Sequence, residues 1–180
     1  ELEAVYEEKN RSLDNDGWKV QEAAMAAIFP THNYGQQTTI GTIEHLKNPS
    51  LVAIRNYYNK YYVPNNIAIV MSDDFDFDKV VKLIETKFAY MKPKPVQEYA
   101  GPKESPISGP VVKEVFGPSA ELLRMGWRIP ANHSREAMLA LLASKILYNG
   151  KAGLLDLNLN KQQKLQAAVA FVNQFKDYGM

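Results

Sequence analysis

Apolar residues recur at helical spacing through most of the first ninety positions, and an alternation of period two appears after residue 110. The opening run Glu1-Leu2-Glu3-Ala4-Val5-Tyr6-Glu7-Glu8 is rich in helix formers and meets no Gly or Pro before Gly17, which predicts a helix to about Leu13. Asp14-Asn15-Asp16-Gly17 reads as a turn, and Trp18 to Phe29 as a second helix ended by Pro30. Its face of Val20, Ala24, Ala27 and Ile28 is small enough for close helix approach. Asn48-Pro49 opens a third helix, Ser50 to about Tyr62, by supplying a cap and a proline at the first helical position. Its Tyr57, Tyr58, Tyr61 and Tyr62 form a helical stripe suited to core and rim packing. Ile67 to Met71 is apolar throughout, as in a strand covered on both faces. Asp76 or Asp78 then caps a helix from Phe77 to Ala89, with Val80, Val81, Ile84 and Phe88 as its buried stripe.

In the later part, Val111 to Phe116 and Glu121 to Ile129 read as strands, the second through the alternation of Leu123, Met125 and Trp127 with Leu122, Arg124 and Gly126. Ser134 caps a helix to about Tyr148 that is apolar around much of its girth and so is expected at the centre; Asn149-Gly150 closes it. A short helix over 152–159 and a strand from Leu165 to Phe175 complete the pattern. The fold class expected is α/β in the α+β sense: antiparallel-rich sheets packed with helices. Between the two parts, Lys92 to Pro110 contains Pro93, Pro95, Pro102, Pro106 and Pro110, half of the chain's 10 prolines. Such density forbids regular helix and predicts an extended connector. The expected organisation is 1–91, a linker over 92–110, and 111–180.

Composition narrows the function. An apolar fraction of 46% supports a packed core. Net charge is +1, from 21 basic and 20 acidic side chains, which gives no general attraction to nucleic acid or anionic membrane. No apolar run approaches the roughly 18 residues of a membrane span. The absence of Cys excludes disulfides and thiolate metal sites and leaves cytoplasm and cell envelope equally compatible.

The candidate chemistry lies in the first helix. Seven helical steps make about two turns, so Glu1 and Glu8 share a face, about 10.5 Å apart along the axis. Ala4 and Val5 lie between them, and Ala4 leaves room for another element. Metal–carboxylate bonds are about 2.0–2.2 Å long, so one ion does not reach both. Solvated helix carboxylates are the ordinary reading of such a pair. Glu7, about 100° away, points elsewhere. Of the three histidines, His32 in the turn-rich 31–41 segment is the one to consider near a site, although a surface-loop histidine is the simpler reading; His45 reads as structural or exposed. The Asp73–Asp78 cluster lacks the Gly and terminal Glu of an EF-hand loop.

The run ELEAVYEEKNRSLDNDGWKVQEAAMAAIFPTHNYGQQTTIGTIEHLKNPSLVAIRNYYNKYYVPNNIAIVMSDDFD resembles the pitrilysin/insulinase family of zinc metallopeptidases, the group with an inverted His-x-x-Glu-His motif. The resemblance implies that Glu8 matches the third zinc ligand and Glu1 the accessory active-site acid of the family's Glu-x6-Glu spacing. It also implies parts of two tandem, structurally similar metallopeptidase domains. The His-x-x-Glu-His motif itself is absent from this chain. The expectation is therefore a fragment of a zinc endopeptidase, inactive and weak in zinc affinity alone, which takes Zn2+ and a peptide substrate only with the remainder of its parent or a partner half. Exposed sheet edges would also permit pairing with a second copy. The other reading is a non-catalytic scaffold or substrate-clamping half of the same family.

Overall fold

The computed structural model describes residues 1–180. In chain order its elements are α1 (Leu2–Leu13), α2 (Asp16–Ile28), α3 (Asn33–Gln36), α4 (Ile43–Lys47), α5 (Leu51–Tyr61), a 3-10 turn (Pro64–Asn66), α6 (Phe77–Phe88), β1 (Ile129–Pro130), α7 (Arg135–Leu147), a π-helical turn (Asp156–Asn160) and β2 (Tyr178–Gly179). The chain forms two compact units, one of residues 1–42 with 101–180 and one of residues 43–100.

In the first unit, Asn15 caps α2 by accepting from the Trp18 N–H at 3.1 Å, so the helix starts at Asp16, two residues before the expected Trp18, with Gly17 in its first turn. Asp16 in turn accepts from Lys19 Nζ and from the Ser119 N–H, each at 2.9 Å. Those bonds hold its carboxyl down to about 2. Phe29, just past the end of α2, is fully buried. Its ring meets Tyr34 edge-on at 5.5 Å, Tyr178 at 6.0 Å, and His32 and Phe175 at 6.5 Å. These aromatics are the core of the unit. The tail folds back beside them: Asn173 and Met180 exchange backbone hydrogen bonds, and β2 pairs antiparallel with β1 in the register Ile129↔Gly179, Pro130↔Tyr178.

A buried ion pair ties this core together. The Glu104 side chain is 1% exposed and the Arg128 side chain 11%, with Arg128 Nη1 3.3 Å from Glu104 Oε2. Glu104 Oε1 accepts from the N–H groups of Thr31 at 2.8 Å and His32 at 2.6 Å. Arg128 donates to the Ile28 carbonyl at 2.8 Å, a carbonyl that the end of α2 would otherwise leave orphaned, and to Ser105 O. Tyr178 Oη accepts from the Glu104 N–H at 2.9 Å. Burial pushes the Glu104 carboxyl up, but the Thr31 and His32 amides, the Thr31 hydroxyl and the Arg128 charge outweigh it and hold the group below its ordinary value.

Helix α7 is capped by Ser134, whose Oγ accepts from the Ala137 N–H at 3.1 Å, and it ends before Gly150 at φ +79°. It is not central as expected. Only Ala137 and Ser144 are buried, while Met138, Leu139, Leu142 and Ile146 are more than half exposed. Beyond it, the buried Asp156 carboxylate gathers the Asn149 and Gly153 N–H groups at 3.1 and 3.0 Å. The Asn160 side chain exchanges two bonds with the Ala168 backbone, at 2.7 and 2.8 Å.

In the second unit, Ser50 rather than Asn48 caps α5: its Oγ accepts from the Ala53 N–H at 3.2 Å, and Pro49 precedes the cap. The tyrosine stripe forms, with ring pairs Tyr57–Tyr61 at 4.6 Å and Tyr58–Tyr62 at 4.7 Å. It faces solvent instead of a core, because no other element packs extensively on α5. Asp76 caps α6 by accepting from the Lys79 N–H. The expected stripe of α6 is only half-buried at Val80, Val81 and Ile84, and Phe88 is exposed. Val63 is the buried apolar residue of the unit. The Asn65 amide pairs with both backbone groups of Lys94, at 2.9 and 3.1 Å.

The strand expectations require the largest correction. Ile67–Met71 and Val111–Phe116 carry no ladder. Of Glu121–Ile129 only Ile129 is paired, and of Leu165–Phe175 only Gln174 makes a bridge. A strand exists only through its neighbour's hydrogen bonds, and these segments find a partner only where Ile129 and residues 173–175 meet the tail at 178–180. The expected antiparallel-rich sheets reduce to one two-stranded antiparallel sheet in a mainly helical chain.

Replacing Arg128 by Met should destabilise the first unit by about 3 kcal/mol, because it strands a buried carboxylate; an unchanged urea midpoint would refute this. Because folding lowers the Glu104 value, its stabilisation is complete above the ordinary carboxylate range and is lost as pH falls through the lowered value. Asp16, Asp76 and Asp156, also lowered, act in the same direction. The urea midpoint should therefore drop between about pH 5 and pH 2, less steeply in Glu104→Gln than in the native chain.

Candidate functional site

The carboxylate-bearing helix forms as its spacing requires. Glu1 is the N-cap residue of α1, its carbonyl accepting from the Val5 N–H at 3.1 Å, and Glu8 follows two turns on. Glu1, Ala4, Glu8 and Arg11 are all exposed and make one stripe along the helix. Val5, Tyr6, Lys9, Ser12 and Leu13 form the neighbouring, packed side, centred about 100° around the helix from that stripe, buried at Lys9 and half-buried elsewhere. Glu7 is turned away from Glu8 and accepts from Asn10 Nδ2 at 3.5 Å.

Lys9 and Glu22 are a pair that sequence spacing does not show. Lys9 Nζ donates to Glu22 Oε1 on α2 at 2.9 Å. The available signal is a lysine on the more apolar side of the helix, among Val5, Tyr6 and Leu13.

His32 is a clear correction. The expected surface-loop histidine is 1% exposed. Its Nδ1 accepts from the Tyr34 N–H at 3.2 Å and so caps the short α3. That leaves Nε2 to carry the proton, and Nε2 lies 3.3 Å from Asp177 Oδ2. The ring packs 4.1 Å from Tyr34 and edge-on to Tyr178 at 5.5 Å, and Gly101 lies so close to its Nε2 edge that a side chain there would displace it. His32 is thus a component of the aromatic core. His45 and His133 are exposed.

The structure does not gather these residues around a common point. No group of three or more His, Cys, Asp or Glu side chains is placed to hold a metal ion. Glu8 is one accessible carboxylate, and the donor set that zinc requires is not met by this chain's residues alone. No helix is long and apolar enough to cross a membrane. One further concavity, about 590 Å³, lies between the small-residue face of α2 and residues 111–126, lined by Val20, Ala24, Ala27, Val111, Phe116 and Leu123 among others.

Comparison with known proteins identifies the lineage. Residues 50–180 match the family described as the peptidase M16 inactive domain. Over 141 residues the chain is 26% identical to the zinc protease PqqE of Helicobacter pylori (strain ATCC 700392 / 26695), an alignment covering 74% of this chain and 31% of that protein. The chain therefore spans about a third of the length of the curated relative it matches. The match over 50–180 agrees with the resemblance drawn from the sequence: the chain belongs to the peptidase M16 family, through the part described as its inactive domain.

Proposed function

We propose that this chain is a part of an M16 zinc endopeptidase that acts on peptide substrates only together with the remainder of its parent chain or a partner half. In that assembly Glu8 supplies one zinc ligand and Glu1 the accessory acid. The observation that carries the reading is the exposed stripe Glu1–Ala4–Glu8, in which neither carboxylate makes a hydrogen bond or ion pair and Ala4 leaves space for a neighbouring element. No catalytic step is assigned to this chain by itself, because its own residues do not complete a metal site. The proposed organisation is 1–91 as the end of a zinc-bearing domain, 92–110 as linker and 111–180 as the start of a second, similar domain; the five prolines of 92–110 support it.

A specific observation favours a second reading. The matched family is described as an inactive domain, and the matched residues 50–180 leave Glu1 and Glu8 outside. On that reading the chain is a non-catalytic scaffold or substrate clamp, and its exposed apolar residues pair with another domain or a second copy.

Zinc content and peptide cleavage, measured on a protein extended at both ends to its parent's length, separate the two. About one zinc per site, with both metal and cleavage lost in Glu8→Gln, is the expected result. A parent without zinc, or a Glu8→Gln variant that retains both, would leave Glu8 an ordinary helix carboxylate and favour the scaffold. The 180-residue chain alone should cleave nothing.

A further inference from the structure

Lys9 is the buried residue of α1, its side chain 7% exposed and its Nζ 2.9 Å from Glu22 Oε1. Lysine is almost never buried without a partner, and packing alone would be served better by an apolar residue. Glu22 keeps 38% of its side chain in solvent, so the pair is only partly desolvated. The value of such a pair lies more in which arrangement it permits than in net stability.

Residues 8 and 9 differ by about 100° around the helix. Rotating α1 by that angle would carry Lys9 away from Glu22, to the half-buried place of Asn10, and swing Glu8 towards Glu22, setting two carboxylates against each other. Like charges in contact oppose that rotamer of the whole helix, while the Lys9–Glu22 attraction favours the observed one. The rest of the contact is less buried than Lys9: Val5, Ser12 and Leu13 are only half-buried against their surroundings.

We infer that Lys9 and Glu22 are a positioning pair that fixes the rotation of α1, so that the stripe of Glu1, Ala4, Glu8 and Arg11 is presented outward. The use of that stripe as a ligand-bearing surface rests on the function proposed above; the rotational pin does not. The pair acts through Glu8 and touches no substrate itself.

The chain has no cysteine, so a single introduced thiol reports one position. Val5→Cys places a thiol on the packed side and Glu8→Cys one on the outward side. With the native pair, Cys at 8 should react with a maleimide at least about tenfold faster than Cys at 5. Lys9→Glu should bring the two rates within about threefold, and the charge swap Lys9→Glu with Glu22→Lys should restore the difference. If Lys9→Glu loses its helical circular dichroism, Lys9→Gln, which keeps the stem and loses the charge, takes its place with the same expectation. An unchanged ratio in the folded single variant, or a swap that fails to restore it, overturns the inference. A general loss of stability would raise both rates together, whereas rotation lowers the rate at position 8. Because no metal enters this measurement, the pin and the zinc reading fail or survive separately.

Discussion

Glu104 meets the C-terminal end of α2, which would otherwise be costly to bury. Helix α2 stops at Ile28 before Pro30, and the next free N–H groups, on Thr31 and His32, turn inward beside Phe29. A carboxylate takes both of them, and Arg128 balances its charge while covering the Ile28 carbonyl. Each component would be expensive alone: a buried anion, a buried cation and unpaired backbone. Together they allow the aromatic cluster of Phe29, His32, Tyr34, Phe175 and Tyr178 to close around them. His32 then acquires its burial from that closure, and its imidazole becomes the cap of α3.

The same economy of charge operates at α1 on a smaller scale. One ammonium faces α2, and the carboxylates on the other side are left to water. Elsewhere the chain exposes apolar surface that a closed core would cover, including Val70, Phe116 and Leu123 at more than 80%. In residues 43–100 the helices α5 and α6 form through their own caps and periodicity, with little packing between elements. Local signals are sufficient for those helices, and a single apolar residue, Val63, is buried.

That contrast explains what was readable in advance. Ser134 before α7, Asp76 before α6 and the acidic, Ala-rich run of α1 are instructions written within a few residues of the helices they start. Ser50 took the capping role from Asn48 because its hydroxyl sits three residues before the Ala53 N–H. Ile67–Met71 and Glu121–Ile129 have the residue pattern of strands, while a ladder also needs a partner far along the chain. The burial of His32 has a similar origin. Nothing near Thr31-His32-Asn33 shows that Glu104 and Asp177 will arrive beside it. At the candidate site, the face carrying Glu1 and Glu8 was legible from helical spacing, but the lysine on the neighbouring side gained its meaning only from Glu22, on another helix.

The arrangement of the core also sets an order in time. Phe29 and Tyr34 are synthesised about 140 residues ahead of their neighbours Phe175 and Tyr178, and the Tyr34 hydroxyl is met by the backbone of Asp177. At about 5–20 residues per second that interval is roughly ten seconds. Residues 43–100 are complete in themselves well before it ends. The aromatic ends of α2 and α3 therefore wait unburied during synthesis, and closing so long a loop makes their final docking a late, long-range step in folding.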